Sequence, residues 1–459
     1  MRILASAAAL MLAAAPAMAQ TPAATEQPLL HQLASDVRPE RMRADIESMV
    51  SFGTRHTLSD QVSETRGIGA ARRWAEREFR QIGAGCGGCL EIALPEDTVT
   101  GNRVPTPTRV VNVLAIQRGT GDPNRVIIIS GHIDSRVTDV MDFTADAPGA
   151  NDDASGVAAV LEAARVLSKH RFDATLVYAA LSGEEQGLLG GKILADYAKT
   201  QGWVVEANLN NDIVGNSEGQ SGVRDTTRVR VFSEGTKTVE TAAQAERRRY
   251  NGGEVDSSSR NLARFVDGLA ERYLANFDVE MIYRTDRYGR GGDQVEMLRA
   301  GFPAVRISEG AENYDRQHQD LRTENGVHYG DTVDGVDFDY LGQVARLNIV
   351  SMAALASAPM APAGVTIEGA VKPDTTVKWQ AVPGAAGYRV WWRSTTDPQW
   401  RFSRNAGADD TQMVLPGIVI DDYFFGVSAI SDDGYESPVV FPGAPGAFVS
   451  VGDPAPPAR

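Results

Sequence analysis

The chain has 459 residues, of which 42% are hydrophobic and 23% charged. That composition predicts about two or three folded domains and at least one sizeable core. With 60 acidic against 45 basic side chains and a formal charge of -15, a polyanion such as nucleic acid is excluded as the expected partner.

The first residues read as an export signal. Met1-Arg2 precedes an apolar run from Ile3 to Ala15, and Ala17-Met18-Ala19 is a small-x-small cleavage site. The run is too short to span a bilayer, and no later stretch is apolar enough to do so. Residues 1–19 are therefore expected to be a removed signal peptide, and the protein to be exported, periplasmic or extracellular. Helices are predicted within residues 38–81, where Ile68, Ala71, Trp74, Ala75 and Phe79 mark one face. His56, in the loop between them, is given no metal role. Cys86 and Cys89 are the only cysteines, so no zinc knuckle can be completed. In an exported chain this CxxC is expected to close a local disulfide. Strands are predicted at 90–93 and 108–117, with a loop over 95–108.

The next sixty residues carry the chemistry. The apolar run Val126 to Ile129 leads to His132 and Asp134. Asp152 and Asp153 stand at the mouth of a helix whose apolar positions Val157, Val160, Leu161, Ala164 and Leu167 recur at helical spacing. Leu176 to Leu181 is a second apolar strand, followed by Glu184 and Glu185. A third strand-like segment delivers Asp212. In open α/β sheets, ligands bind beyond the carboxyl ends of the strands. Acids gathered there without counter-charge would repel one another and hold protons. A divalent metal removes that cost, and mixed imidazole and carboxylate donors suit zinc, with cobalt or manganese as substitutes.

Beyond this stretch come a strand VRVFSE, an insertion-like segment containing Arg247-Arg248-Arg249 (read as a solvated helix face), a helix, and a last buried strand in AGFPAVRIS. A helix around 340–356 closes the unit. Residues 357–364 read as a linker. Residues 365–459 read as a β-sandwich of short strands with Gly, Pro and Asp turns: GYRVWWRST and DYFFGVSAIS alternate strictly, with Tyr388, Val390 and Trp392 facing one way and Tyr423, Phe425, Val427 and Ala429 doing the same. Trp391 and Trp400 are assigned to sandwich packing, with a surface or polymer contact through this C-terminal domain as the alternative.

Together SGHIDS, PGANDDASG, SGEEQGLLG and the NND ending at Asp212 resemble the co-catalytic two-zinc exopeptidases, the family of bacterial leucyl aminopeptidase and glutamate carboxypeptidase. The resemblance covers roughly Asn112 to Leu355 and implies an α/β fold over residues 20–356: a mixed central sheet with helices on both faces. It implies two Zn2+ per chain and a peptide substrate. His132 and Asp212 would hold one metal, Glu185 and a late histidine the other, and Asp152 would bridge them. Asp134 would orient His132, and Glu184 would act as general base. The late histidine is taken as His318, four residues after Tyr314, with His328 as the alternative. Asp293 matches an Asp-His pair of the family, but Gln294 stands in place of the histidine. The tail, ordered Trp379, Tyr388, Leu415, then YFFGVSAISDDGYESP, resembles a fibronectin type III domain. These resemblances predict an aminopeptidase. A carboxypeptidase or dipeptidase of the same fold, a glutaminyl cyclase and a non-catalytic surface-binding protein are the other readings.

Overall fold

The computed structural model of the protein describes residues 25–449; the expected signal segment, residues 1–19, lies outside them. In chain order the first part comprises α1 (Pro28–Ser35), α2 (Pro39–Val50), α3 (Gly67–Gly85), β1 (Glu91–Ala93), β2 (Glu96–Gly101), β3 (Val104–Val111), β4 (Val113–Gln117) and β5 (Arg125–His132). There follow α4 (Ala154–Leu167), β6 (Thr175–Leu181), α5 (Leu189–Thr200), β7 (Val204–Asn211), β8 (Arg228–Phe232), α6 (Ala242–Asn251) and α7 (Ser258–Tyr273). The unit ends with β9 (Asp278–Ile282), α8 (Gln294–Arg299), β10 (Ala304–Glu309), the hairpin β11 (Arg322–Glu324) and β12 (Val327–Tyr329), and α9 (Phe338–Ser357).

Eight strands form one mixed sheet in the order β1-β4-β6-β5-β7-β10-β8-β9. Its centre, β6-β5-β7-β10, is parallel, so the carboxyl ends of these strands emerge along one edge. Alternation along the strands explains why both faces are covered. Ile127 and Ile129 join the large core beneath α4 and α9, while Val126 and Ile128 join a second core with Leu194, Ala198, Met297 and Leu298 of α5 and α8. Each fully buried Ile or Val contributes about 1.5–3 kcal/mol, which holds β5 to its register. That register sets His132 beside Leu181, three residues before Glu184.

Two sequence expectations are corrected here. The segment 95–108 is not a loop: β2 and β3 pair as an exposed antiparallel hairpin. Its polar composition hid it, because most of its residues are exposed and only Val104, Val110 and Val111, at the ends of β3, are buried. The strand expected over 108–117 breaks at Asn112. There the side chain donates to Gly190 O at 2.8 Å and accepts from Ser182 N at 3.0 Å, tying the β6 exit to α5.

The C-terminal part is two three-stranded antiparallel sheets. One contains β13 (Thr366–Glu368), β14 (Thr375–Lys378) and β17 (Gln412–Leu415); the other contains β15 (Gly387–Ser394), β16 (Phe402–Gly407) and β18 (Tyr423–Ile430). Tyr388 lies opposite Ala429, Val390 opposite Val427 and Trp392 opposite Phe425, so the alternating residues form the inner face. The segment 357–364 is not a loose linker. Ala358 and Ala361 are buried, and Arg125 Nη2 donates to the carbonyls of Leu355 and Pro359 at 2.8 and 3.4 Å. Trp400 packs at the junction of the two parts rather than in the sandwich, its Nε1 donating to Asn261 Oδ1 at 3.1 Å. Trp391 donates to Ser428 Oγ and Glu436 Oε1 within the sandwich. Cys86 and Cys89 form a disulfide.

Candidate metal centre

His132 ends β5, Asp212 follows β7, and Asp152 precedes α4. These three offer donor atoms within 4.8 Å of one another, and so do Asp152, Glu185 and His318. Asp152 thus belongs to both groups. His132 Nε2 lies 3.2 Å from Asp152 Oδ1 and 3.9 Å from Asp212 Oδ1. His318 Nε2 lies 2.8 Å from Asp152 Oδ2 and 3.0 Å from Glu185 Oε1. Neither His56 nor His328 takes part. His56 is buried against Val140 O and Gln186, while His328 sits on β12 beside Thr323.

Local chemistry explains how so many acids reach one point. Gly131 of β5 and Gly156 of α4 let strand and helix approach closely. A Cβ on Gly131 would fall 2.6 Å from Gly156 C, and one on Gly156 would fall 2.4 Å from Asp153 Oδ2. Asp153 is the N-cap of α4, accepting from Gly156 N at 2.9 Å, the usual service of an Asp at that position. Its other oxygen accepts from His132 N at 2.9 Å, and its first also reaches Ile213 N at 3.3 Å. One carboxylate therefore fixes three segments of the site. Asp331 does the same for the loop before α4, accepting from Asn151 N and from Asp152 N at 2.7 Å.

Asp134 meets His132 and also does a second job. His132 Nδ1 meets the backbone oxygen of Asp134 at 3.0 Å, whereas the carboxylate is 3.6 Å away. That carboxylate instead accepts from the backbone N–H groups of Gly183, Glu184 and Glu185 at 2.8, 3.2 and 3.1 Å, and from Thr57 Oγ1 at 3.1 Å. It shapes the loop that carries both glutamates.

Two arginines border the acids. Arg306, buried in β10, places Nη1 2.7 Å from Asp212 Oδ2. Arg136 donates to Glu185 Oε2 at 2.9 Å, with its Nη2 2.6 Å from His318 Nδ1. Gln294 is buried, donating to Asp286 Oδ2 at 2.5 Å and accepting from Asn210 at 3.2 Å. Asp293 accepts from Gly191 N at 2.7 Å. Sequence reasoning did not single out Asp153, Asp331, Arg306 or Arg136 for a role at the site. The signal for Arg306 was present, as a charge inside the apolar strand AVRIS.

The electrostatics show acids in search of cations. Burial alone would lower His318, but Glu185 and Asp152 push it up to about 10. Burial would likewise raise Asp152, yet His318 and His132 hold it well below the usual range. For Glu184, burial dominates, and with Asp212, Glu185 and Asp293 nearby it is pushed well above the usual range. Glu185 Oε1 is buried with no hydrogen-bond partner among the described residues, although His318 Nε2 is 3.0 Å away. That spacing without a directed hydrogen bond is how two donors to one ion face each other. Imidazole and carboxylate donors in groups of three, one carboxylate shared, fit zinc.

An α/β sheet with this donor set at its strand ends defines a metal-dependent hydrolase. Comparison with known proteins makes the class specific. The family model for peptidase family M28 matches residues 112–347. A "probable zinc metalloprotease" of Leptosphaeria maculans is 44% identical over 417 residues, covering 90% of this chain and 96% of that one. Another from Pyrenophora teres f. teres is 43% identical over 419 residues, covering 90% of this chain and 86% of the relative. The chain belongs to peptidase family M28 and is a zinc-dependent peptidase. Among solved structures, LapB of Legionella pneumophila aligns with a TM-score of 0.52 at 19% identity, over 72% of this chain and 76% of that one. The LapA aminopeptidase of the same organism aligns with a TM-score of 0.51 at 17% identity, over 74% and 78%. These two share the fold.

Proposed function

We propose that the protein is an exported exopeptidase that removes residues from the amino end of peptides and holds two zinc ions. The observation that carries this reading is the pair of three-donor groups sharing Asp152. His132 and Asp212 would hold one zinc, Glu185 and His318 the other, and Asp152 would bridge both. Zinc bound there would polarise the scissile carbonyl and lower the pKa of water to about 7. Glu184 offers no atom to either group and is left free to take a proton and return it to the leaving amine, as a general base and then acid. Asp134 would hold Glu184 and Glu185 in place through their backbone N–H groups. Arg306 would steady Asp212, and Asp153 would fix His132, Gly156 and Ile213 relative to one another. The amino-end preference is supported by the shared fold of the LapA aminopeptidase. The C-terminal pair of sheets is read as a fibronectin type III-like domain, on its inner-face alternation.

The test combines zinc content with hydrolysis of free and N-blocked dipeptides. The expected result is about two zincs per chain and cleavage of free amino ends only. Glu184→Gln should keep the metal and lose at least about 10³-fold in kcat. Cleavage confined to N-blocked peptides would move the assignment to a carboxypeptidase.

A further inference from the structure

The loop between β9 and α8, residues 283–293, returns to the mouth of the metal centre carrying Arg287 and Arg290. Gly292 brings it close. A Cβ there would fall 2.7 Å from Arg306 Nη1 and 3.3 Å from Asp212 Oδ2. Both arginines converge on Glu312, which Arg230 also holds. Arg230 Nη2 donates to Oε1 at 2.6 Å, Arg290 Nη2 donates to Oε2 at 2.9 Å, and Arg287 Nη1 lies 3.8 Å from Oε2. Three guanidiniums thus share one carboxylate. The nearby Asp286 is engaged by Gln294 and lies 3.5 Å from Arg306. Arg287 Nη1 is buried with no hydrogen-bond partner among the described residues, on a side chain only 9% exposed. Arg290, with a side chain 35% exposed, is the member that meets solvent.

Arg290 is also the member nearest the chemistry. Its Nη1 donates to Gln317 Oε1 at 3.3 Å, and Gln317 Nε2 reaches Asp152 Oδ2 at 3.4 Å. One side-chain amide therefore separates the guanidinium from the shared carboxylate. About two extended residues, at roughly 3.3–3.6 Å each, cover that distance. A guanidinium has five N–H donors in a planar fork that matches a carboxylate. We infer that Arg290, backed by Arg287, forms a carboxylate-binding subsite beside the metal centre. It selects peptides with a carboxylate within about two residues of the scissile bond, either the terminal carboxylate of a short peptide or an Asp or Glu side chain. This deepens the peptidase reading and rests on it.

The test uses the zinc-loaded full chain and three matched substrates: Leu-Leu, its amide Leu-Leu-NH2, and Leu-Glu-NH2. The wild type should show a KM about tenfold lower for at least one carboxylate-bearing substrate than for Leu-Leu-NH2. Arg290→Gln should erase that gap, while Arg290→Lys, which keeps the charge but loses the fork, should keep part of it. Zinc content and circular dichroism establish that each variant is folded. The substrate that loses its advantage identifies the carboxylate. Equal KM values across the three substrates in the wild type, or an undiminished gap in folded Arg290→Gln, would overturn the subsite. Should the wild type cleave none of them, the amino-end exopeptidase reading falls. Calorimetric titration of wild type and Arg290→Gln with Leu-Leu and Leu-Leu-NH2 then decides the subsite alone: a carboxylate advantage lost in the variant supports it, and none in the wild type overturns it.

Discussion

Two buried clusters of charge sit at different places on this molecule, and the protein treats them differently. At the junction between the sheet-and-helix part and the C-terminal sheets, Asp256 Oδ1 receives Arg264 Nη1 at 2.9 Å and Arg393 Nη2 at 2.7 Å. All three side chains are at most 2% exposed. The arginines are further held by backbone carbonyls of Val255, Pro398 and Ser394. There the acid is satisfied by cations the chain supplies. At the strand ends, Asp152, Asp153, Glu185 and Asp212 are equally buried, but Arg306 reaches only Asp212 and Arg136 only Glu185. Among the described residues no arginine is paired with Asp152. Its ionisable partners are two imidazoles, groups that give up their proton to a metal, beside the neutral amide of Gln317. A chain that can neutralise a buried carboxylate with two arginines, and does so elsewhere, leaves its central acid for an ion from solution.

Removing that ion is the sharpest way to break the contrast. Chelation, or Asp152→Asn, should abolish peptide hydrolysis by about 10³-fold or more, since both donor groups lose their shared member. Readdition of zinc should rescue the chelated wild type but not the variant. Retention of near-normal turnover by Asp152→Asn would sink the shared-ligand assignment. At the junction the same logic predicts a loss of stability rather than of chemistry. Arg393→Met leaves Asp256 with one arginine in a dry setting, and breaking such a buried pair costs about 3–5 kcal/mol. Urea denaturation should register it, with kcat per folded molecule unchanged. An unaltered midpoint would mean that Arg264 alone suffices.

These two clusters were unequally legible in the sequence. The strand-end acids announced themselves through their neighbours: Glu184 and Glu185 follow an apolar run that reads as a buried strand, Asp212 ends a strand-like segment, and Asp152 stands before a helical repeat, so their shared edge could be inferred. His318 was taken through the family resemblance, from its distance to Tyr314. Asp153 and Asp331 were not singled out, because their partners are backbone N–H groups brought close by tertiary folding, which no side-chain pattern encodes. The one local clue was an acid immediately before a helical repeat, the position of an N-cap. The junction left no trace. Asp256 and Arg393 are 137 residues apart, and Arg393 sits in a strand whose neighbours Trp391 and Trp392 suggested packing within the sandwich. The hairpin of β2 and β3 was missed for the opposite reason: only the ends of β3 are buried, at Val104, Val110 and Val111, so no apolar alternation marks it.

The smallest effect concerns how pH acts at the junction. Asp267 of α7 accepts from Gln399 of the C-terminal part. Burial first, then Glu271 and Asp278, push its carboxyl up to about 7. A folded-state value above the unfolded one means that the folded protein binds the extra proton between about pH 4 and 7. Stability contributed by this group is therefore present at low pH and falls as pH rises through 7, the reverse of the usual salt-bridged aspartate. Asp267→Asn keeps a hydrogen-bonding partner for Gln399 without the charge. It should flatten the fall in unfolding free energy between pH 5 and 7, a change of about 2 kcal/mol. Parallel stability profiles for wild type and variant would show that the Asp267 carboxylate stays ionised at the junction.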